Sequence, residues 1–167
     1  MANDNWQTPQ YIFDWIENKL GFKFDLDVAA DINNSKVEGC YLTEEDNALE
    51  MEWVYGLKCW LNPPYSDPAP WVKKAYEESL KGATVVCLLP ADISTAWFHD
   101  WVIGKAEIWL IQGRIQFDGD KKGSPKFGSM IAIYSPGLIP GVKGVKRPDD
   151  PDSLRNRKRQ GRDAAAV

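Results

Sequence analysis

Apolar residues recur along the chain in two periods. After Thr8-Pro9, a helix-start pair, Tyr11, Ile12, Trp15, Ile16 and Leu20 return at helical spacing, and Gly21 can close that helix. Residues 22–29 alternate as a strand does. The short apolar run 57–61 stops at Asn62-Pro63-Pro64-Tyr65. Asp67-Pro68 opens a second predicted helix, with Trp71, Val72, Ala75 and Tyr76 on one face and Gly82 beyond it. Residues 83–89 are continuously apolar, as a parallel strand buried on both faces requires, and end at Pro90. A third helix is predicted over 94–103, with Trp97, Phe98, Trp101 and Val102 as its buried stripe. Residues 106–111 and 131–134 read as two more strands. Helices and strands alternate over most of the chain. The expected class is therefore α/β, with a mainly parallel sheet and an antiparallel edge strand.

Composition narrows the class. The chain has 167 residues, of which 44% are hydrophobic and 26% charged, with a mean hydropathy of −0.41. That suits one globular domain and excludes a disordered or fibrous chain. No run approaches the ~18 apolar residues of a membrane span, and the polar start up to Trp6 carries no export signal. Cys40, Cys59 and Cys87 are an odd, scattered set, so free thiols and a cytoplasmic setting are expected. One histidine, His99, argues against histidine-based metal chemistry, and no metal is expected.

Charge is unevenly spread. Up to residue 140 there are 12 basic and 20 acidic side chains, net −8; residues 141–167 hold 8 and 4, net +4. We therefore expect a folded domain over 1–140 and a basic, disordered tail over 141–167 that can meet phosphates.

In an open parallel sheet, ligands bind beyond the carboxyl ends of the strands. Three such ends are predicted: Asp27-Val28-Ala29-Ala30, Asn62-Pro63-Pro64-Tyr65 and Pro90-Ala91-Asp92. The second has a chemistry that needs each residue. A side-chain amide oxygen and a backbone carbonyl, both held by rigid prolines, can accept two hydrogen bonds from one exocyclic amino group. An aromatic ring next in line can stack on the planar base that carries the amine.

Asn-Pro-Pro-Tyr at a strand end resembles the signature of S-adenosylmethionine-dependent methyltransferases acting on amino nitrogens. The ordered series is narrower. Trp6-x-Thr8-Pro9, Leu26-Asp27-x-Ala29-Ala30, Tyr41-x-Thr43-x-Glu45-Asp46-Asn47-Ala48-Leu49, Trp60 to Tyr65, Gly113-Arg114-x-x-Phe117 and Phe127-Gly128-Ser129 together resemble the phage-type DNA N-6-adenine methyltransferase (Dam) family, over about residues 5–136. The resemblance implies a compact Rossmann-like methyltransferase fold, S-adenosylmethionine as cofactor, DNA as partner and a phage or prophage origin. It places Asn62, Pro63, Pro64 and Tyr65 at the reacting amine. It puts Thr8, Pro9, Asp27, Ala29, Ala30, Glu45, Asp46 and Asn62 at the cofactor. Alanines stand where many methyltransferases have a glycine-rich loop. Asp46 can serve the ribose or the adenine of the cofactor. Only about 15 residues separate it from Asn62, so one βα unit is expected to be shortened. With no room for a separate recognition domain, the DNA contacts fall to Arg114, Phe117, Lys121, Lys122 and Lys126, and to Arg155, Arg157 and Arg159 in the tail. Two other readings stay open: the same chemistry on RNA adenine or a protein glutamine amide, and a nucleic-acid-binding module that has lost catalysis.

Overall fold

The structure, a computed structural model, describes residues 6–118 and 126–154. Among the described residues the elements follow in the order α1 (Gln10–Leu20), β1 (Leu26–Asp27), β2 (Lys58–Leu61), α2 (Ala69–Leu80), β3 (Thr84–Pro90), α3 (Ala96–Trp101), β4 (Glu107–Gln112), β5 (Ser129–Tyr134) and β6 (Gly141–Lys146). They build one six-stranded sheet, ordered β1-β2-β3-β5-β4-β6.

The two sides of the sheet are read off alternate residues. Cys59, Leu61, Val85, Cys87, Leu89, Ile108, Met130 and Ala132 pack with Val72 and Ala75 of α2 and with Phe98 and Val102 around α3. Trp60, Val86, Leu88, Trp109, Ile111, Ile131 and Ile133 pack on the other side with Ile12, Phe13 and Ile16 of α1. Helices thus cover both faces, which is why the β3 sequence is apolar without interruption. Each large side chain buried this way contributes about 1.5–3 kcal/mol. Cys59 and Cys87 are free thiols inside this core, and burial pushes Cys59 up to about 12.

The sheet is mostly parallel, through the β1–β2, β2–β3 and β4–β6 pairs. Two expectations need correction. The antiparallel strand is β5, and it lies inside the sheet between β3 and β4 rather than at an edge. And the sheet does not end at residue 140. Residues 141–146, expected to be disordered, pair with β4 over six residues. Their pattern Gly-Val-Lys-Gly-Val-Lys hid the strand, because an exposed edge needs little apolar surface.

Residues 22–29 contain a strand of only two residues, because little of it has a partner. On one side β1 meets β2; on the other a single bridge joins Asp27 to Tyr41. From Asp31 to Trp53 the chain runs in turns, with neither helix nor regular strand, so the shortened unit lies here. What holds this turn-rich segment is Trp53. Its indole donates to the Ala48 carbonyl (2.9 Å), and its backbone N–H donates to the Glu78 carboxylate (2.8 Å). Glu78 is only 1% exposed and also accepts from Lys74 (2.8 Å) and Lys81 (3.2 Å). Burial alone would raise its pKa; the hydrogen bonds from Lys74, Trp53 and Lys81 outweigh it and hold the carboxyl below its ordinary 4.5.

Glu78→Ala should therefore cost about 3–5 kcal/mol, the usual result of leaving one partner of a buried charged network behind. Because the folded-state pKa is lowered, this stability is present above pH 4.5 and lost as pH falls. Urea unfolding at pH 7 and pH 4 should show the gap between the two proteins closing at the lower pH.

Candidate active site

A cavity of about 570 Å³ opens at the carboxyl ends of β1 and β2. Its walls come from Trp6, Gln7 and Thr8 before α1, from Asp27 to Asp31 with Asn34 and Lys36, from the turns around Thr43 and Asn47, from Asn62 and Pro64, and from Trp71 of α2.

Asn62 follows β2, and its side-chain N–H donates to the Trp6 carbonyl (2.7 Å). That bond fixes which way the amide faces. The oxygen, Oδ1, is then left buried without a partner, in a residue that lines the cavity. Thr8 Oγ1 is buried and unpartnered in the same way. The expectation that Thr8 caps α1 fails: Pro9 occupies the cap position in an extended conformation, and no side chain caps the helix. Thr8 is held at 2% exposure with its hydroxyl unused by the protein. Two orphaned polar atoms in the wall of one cavity are what a polar ligand would satisfy.

Asp27 ends β1 and is 3% exposed. Its carboxylate accepts the N–H of Ala29 (3.4 Å) and the N–H of Lys36 (2.9 Å). Burial pushes its pKa up to about 6 against the pull of these bonds. The loop between is tied by Asp31, which accepts from the N–H groups of Asn33 (2.6 Å) and Asn34 (3.1 Å) and from the Asn34 side chain (3.0 Å). Ala29 and Ala30 line the cavity, so a loop braced by two aspartates stands in place of a glycine-rich loop.

Asp46 is not where the sequence placed it. Its carboxylate accepts both the N–H (2.7 Å) and the hydroxyl (2.9 Å) of Thr43, which closes a surface turn and holds its pKa below the ordinary value. Neither Asp46 nor Glu45 lines the cavity; Glu44 and Asn47 do. Asn47 sits at φ 52°, a left-handed conformation that asparagine tolerates. Here a turn, rather than a strand, sets which side chains face the cavity.

Tyr65 is half-buried. Its hydroxyl donates to the Leu88 carbonyl (3.3 Å), and burial raises its pKa. Its ring meets Phe117 at 5.9 Å and Phe127 at 5.5 Å, both edge to face. Trp6 meets the same two rings at 5.7 and 6.0 Å. The four aromatics form a closed set beneath the Asn62 turn. Phe117 was expected at DNA; it is 7% exposed and belongs to this set. Gln7 and Asp118 pair through their backbones and draw it under the N-terminal segment. Arg114 and Lys126 are exposed. Lys121, Lys122, Arg155, Arg157 and Arg159 lie outside the described residues.

Sequence reasoning missed Trp71 and Lys36. Trp71 looked like one more residue of an amphipathic stripe. Lys36 had a signal that went unused: it is the only basic residue between Lys23 and Lys58, in a strongly acidic stretch.

The sheet, its helices on both faces and the cavity that Asn62 and Pro64 line fit a compact methyltransferase-like fold. The profile of the DNA N-6-adenine-methyltransferase (Dam) family matches residues 1–140, and the chain belongs to that family. A DNA N-6-adenine-methyltransferase of Haemophilus phage HP1 (strain HP1c1) is 42% identical over 139 residues, which cover 80% of this chain and 79% of the relative. A protein of the same name from Escherichia phage T1 is 38% identical over 132 residues, 79% of this chain and 55% of its own. The chain therefore spans about half the length of the T1 protein. Among the described residues no helix is long and apolar enough to cross a membrane, and no cluster of potential metal ligands is found.

Two outcomes follow for the ligand-free protein. Thr8→Val keeps the shape and removes an unsatisfied hydroxyl, so it should raise stability by about 1 kcal/mol, a gain readable as a higher urea midpoint with an unchanged slope. Asp27 has a folded-state pKa raised from 3.8 to about 6. Its contribution to stability is complete below pH 3.8 and lost as pH rises through 6. Two pKa units correspond to roughly 3 kcal/mol. The wild type should lose up to about that much relative to Asp27→Asn between pH 4 and pH 7, measured by unfolding both proteins across that range.

Proposed function

We propose that the protein transfers a methyl group from S-adenosylmethionine to the N6 amino group of adenine in DNA. The observation that carries the reading is Asn62. It lines the cavity, its Nδ2 is committed to the Trp6 carbonyl, and its Oδ1 is left as a buried acceptor without a partner.

S-adenosylmethionine, when bound, supplies an electrophilic methyl group on sulfonium. The chain supplies position. The orphaned Thr8 hydroxyl, the Asp27 carboxylate and the Ala29-Ala30 wall fit the polar end of such a cofactor. Asn62 Oδ1 and the Pro63 carbonyl accept the two hydrogens of the target amine and turn its lone pair toward the methyl group. No base is needed before attack, since the neutral amine is the nucleophile; its extra proton leaves afterwards to water. Holding both reactants in line can supply ~7–11 kcal/mol of the barrier. In duplex DNA the adenine must leave the stack to reach the cavity. Trp71 in the cavity wall offers aromatic surface for it, and stacking contributes about 1–3 kcal/mol per base; Tyr65, expected from the sequence to stack, is packed against Phe117 and Phe127 and does not line the cavity. Arg114, Lys126 and the basic residues after 154 supply phosphate contacts against the net −8 of residues 1–140. The phage origin of both relatives supports action in the cytoplasm of a phage- or prophage-bearing cell.

The test is incorporation of label from methyl-tritiated S-adenosylmethionine into DNA, RNA or protein, followed by digestion of the labelled fraction. Label in DNA recovered as N6-methyl-2′-deoxyadenosine is expected. Label confined to RNA or protein would overturn the reading. Asn62→Ala should lower turnover by about 10²–10³-fold, the usual loss on removing one preorganised hydrogen-bonding group, while cofactor affinity by calorimetry stays nearly unchanged.

A further inference from the structure

Among the residues lining the cavity Lys36 is the one base; Asp27, Asp31 and Glu44 are its acids. Its place is fixed by the fold. The Lys36 backbone N–H is bound to the Asp27 carboxylate at 2.9 Å, and the Asp31 hydrogen bonds set the path of the loop that leads to it. The ammonium is partly buried, which lowers its pKa, while Asp118, Asp27 and Asp14 act at longer range to raise it. Lys36 lines the same cavity as Thr8 and Asp27. Among the described residues no carboxylate lies in ion-pair contact with it. A partly buried lysine thus shares the cavity wall with the buried Asp27 carboxylate that holds its backbone N–H.

A wall that sets one cation next to one carboxylate matches a ligand whose end carries both charges, as an α-amino acid does. We propose that Lys36 binds the α-carboxylate of the cofactor's methionine moiety, with Asp27 facing the α-ammonium; this rests on the reading of the cavity as the cofactor site. Lys36 would then decide that the cavity takes an adenosine bearing an intact amino acid rather than adenosine alone.

Calorimetry without DNA tests this on three ligands: S-adenosylhomocysteine, its decarboxylated analogue and 5′-methylthioadenosine. Lys36→Met should lower affinity for S-adenosylhomocysteine by roughly 10- to 100-fold, the range for one charge-assisted hydrogen bond. Affinity for the two ligands without a carboxylate should not change, which also shows that the variant is folded. Lys36→Arg should restore most of the loss. If Lys36→Met binds none of the three, the milder Lys36→Gln carries the same comparison. An equal loss on all three ligands would make Lys36 a structural residue of the loop. Undiminished binding of S-adenosylhomocysteine would give its carboxylate to another group. Either result overturns the assignment while leaving the cavity as the cofactor site. A wild type that binds none of the three overturns the reading of the cavity itself, and the assignment with it.

Discussion

The carboxylate of Asp27 is buried at the end of a two-residue strand, and the cavity is organised around it. Its own backbone exchanges hydrogen bonds with Cys40 and Leu42, which brings back the segment that replaces a strand and a helix. Its side chain gathers the amides of Ala29 and Lys36 and so shapes the loop between them. A charge in that place is costly, which is the meaning of its raised pKa. A neutral residue could hold the loop with less strain on stability. The cost is understandable if the charge is needed for a cation that arrives with a ligand.

A second constraint acts at Asn62. A primary amide has two donors and an acceptor, and a site that must accept has to commit the donors elsewhere. The Trp6 carbonyl takes one of them. Trp6 is itself wedged against Phe117 and Phe127, which also border Tyr65. Orientation of the reactive amide is thus set by a ring cluster whose members come from distant parts of the chain. Phe117 serves here as support for the site rather than as a surface.

Much of this was legible in the sequence for a simple reason. Where both faces of a strand or one face of a helix are buried, the pattern of apolar residues is forced, as in β3 and α2, and the strand ends follow from it. The Asn-Pro-Pro-Tyr turn could be placed at once because prolines end a strand. What stayed hidden lacks that forcing. β6 is exposed and needs no apolar stripe. The turn carrying Asp46 depends on a side-chain clasp with Thr43 that periodicity does not register. Lys36 faces the cavity only because Asp27 reaches across nine residues to hold its amide.

The sixth strand has a bearing on how the chain can be shortened. The family match stops at residue 140, one residue before β6 begins. Cutting there would strip the outer hydrogen-bonding edge from β4, whose sequence Glu-Ile-Trp-Leu-Ile-Gln is far more apolar than the strand that shields it. Gly141, Lys143, Gly144 and Lys146 make a poor template for a foreign strand, and β4 would make a good one. A trimmed protein that kept every residue of the cavity would thus expose a sticky margin, and self-association rather than loss of chemistry would be its first failure.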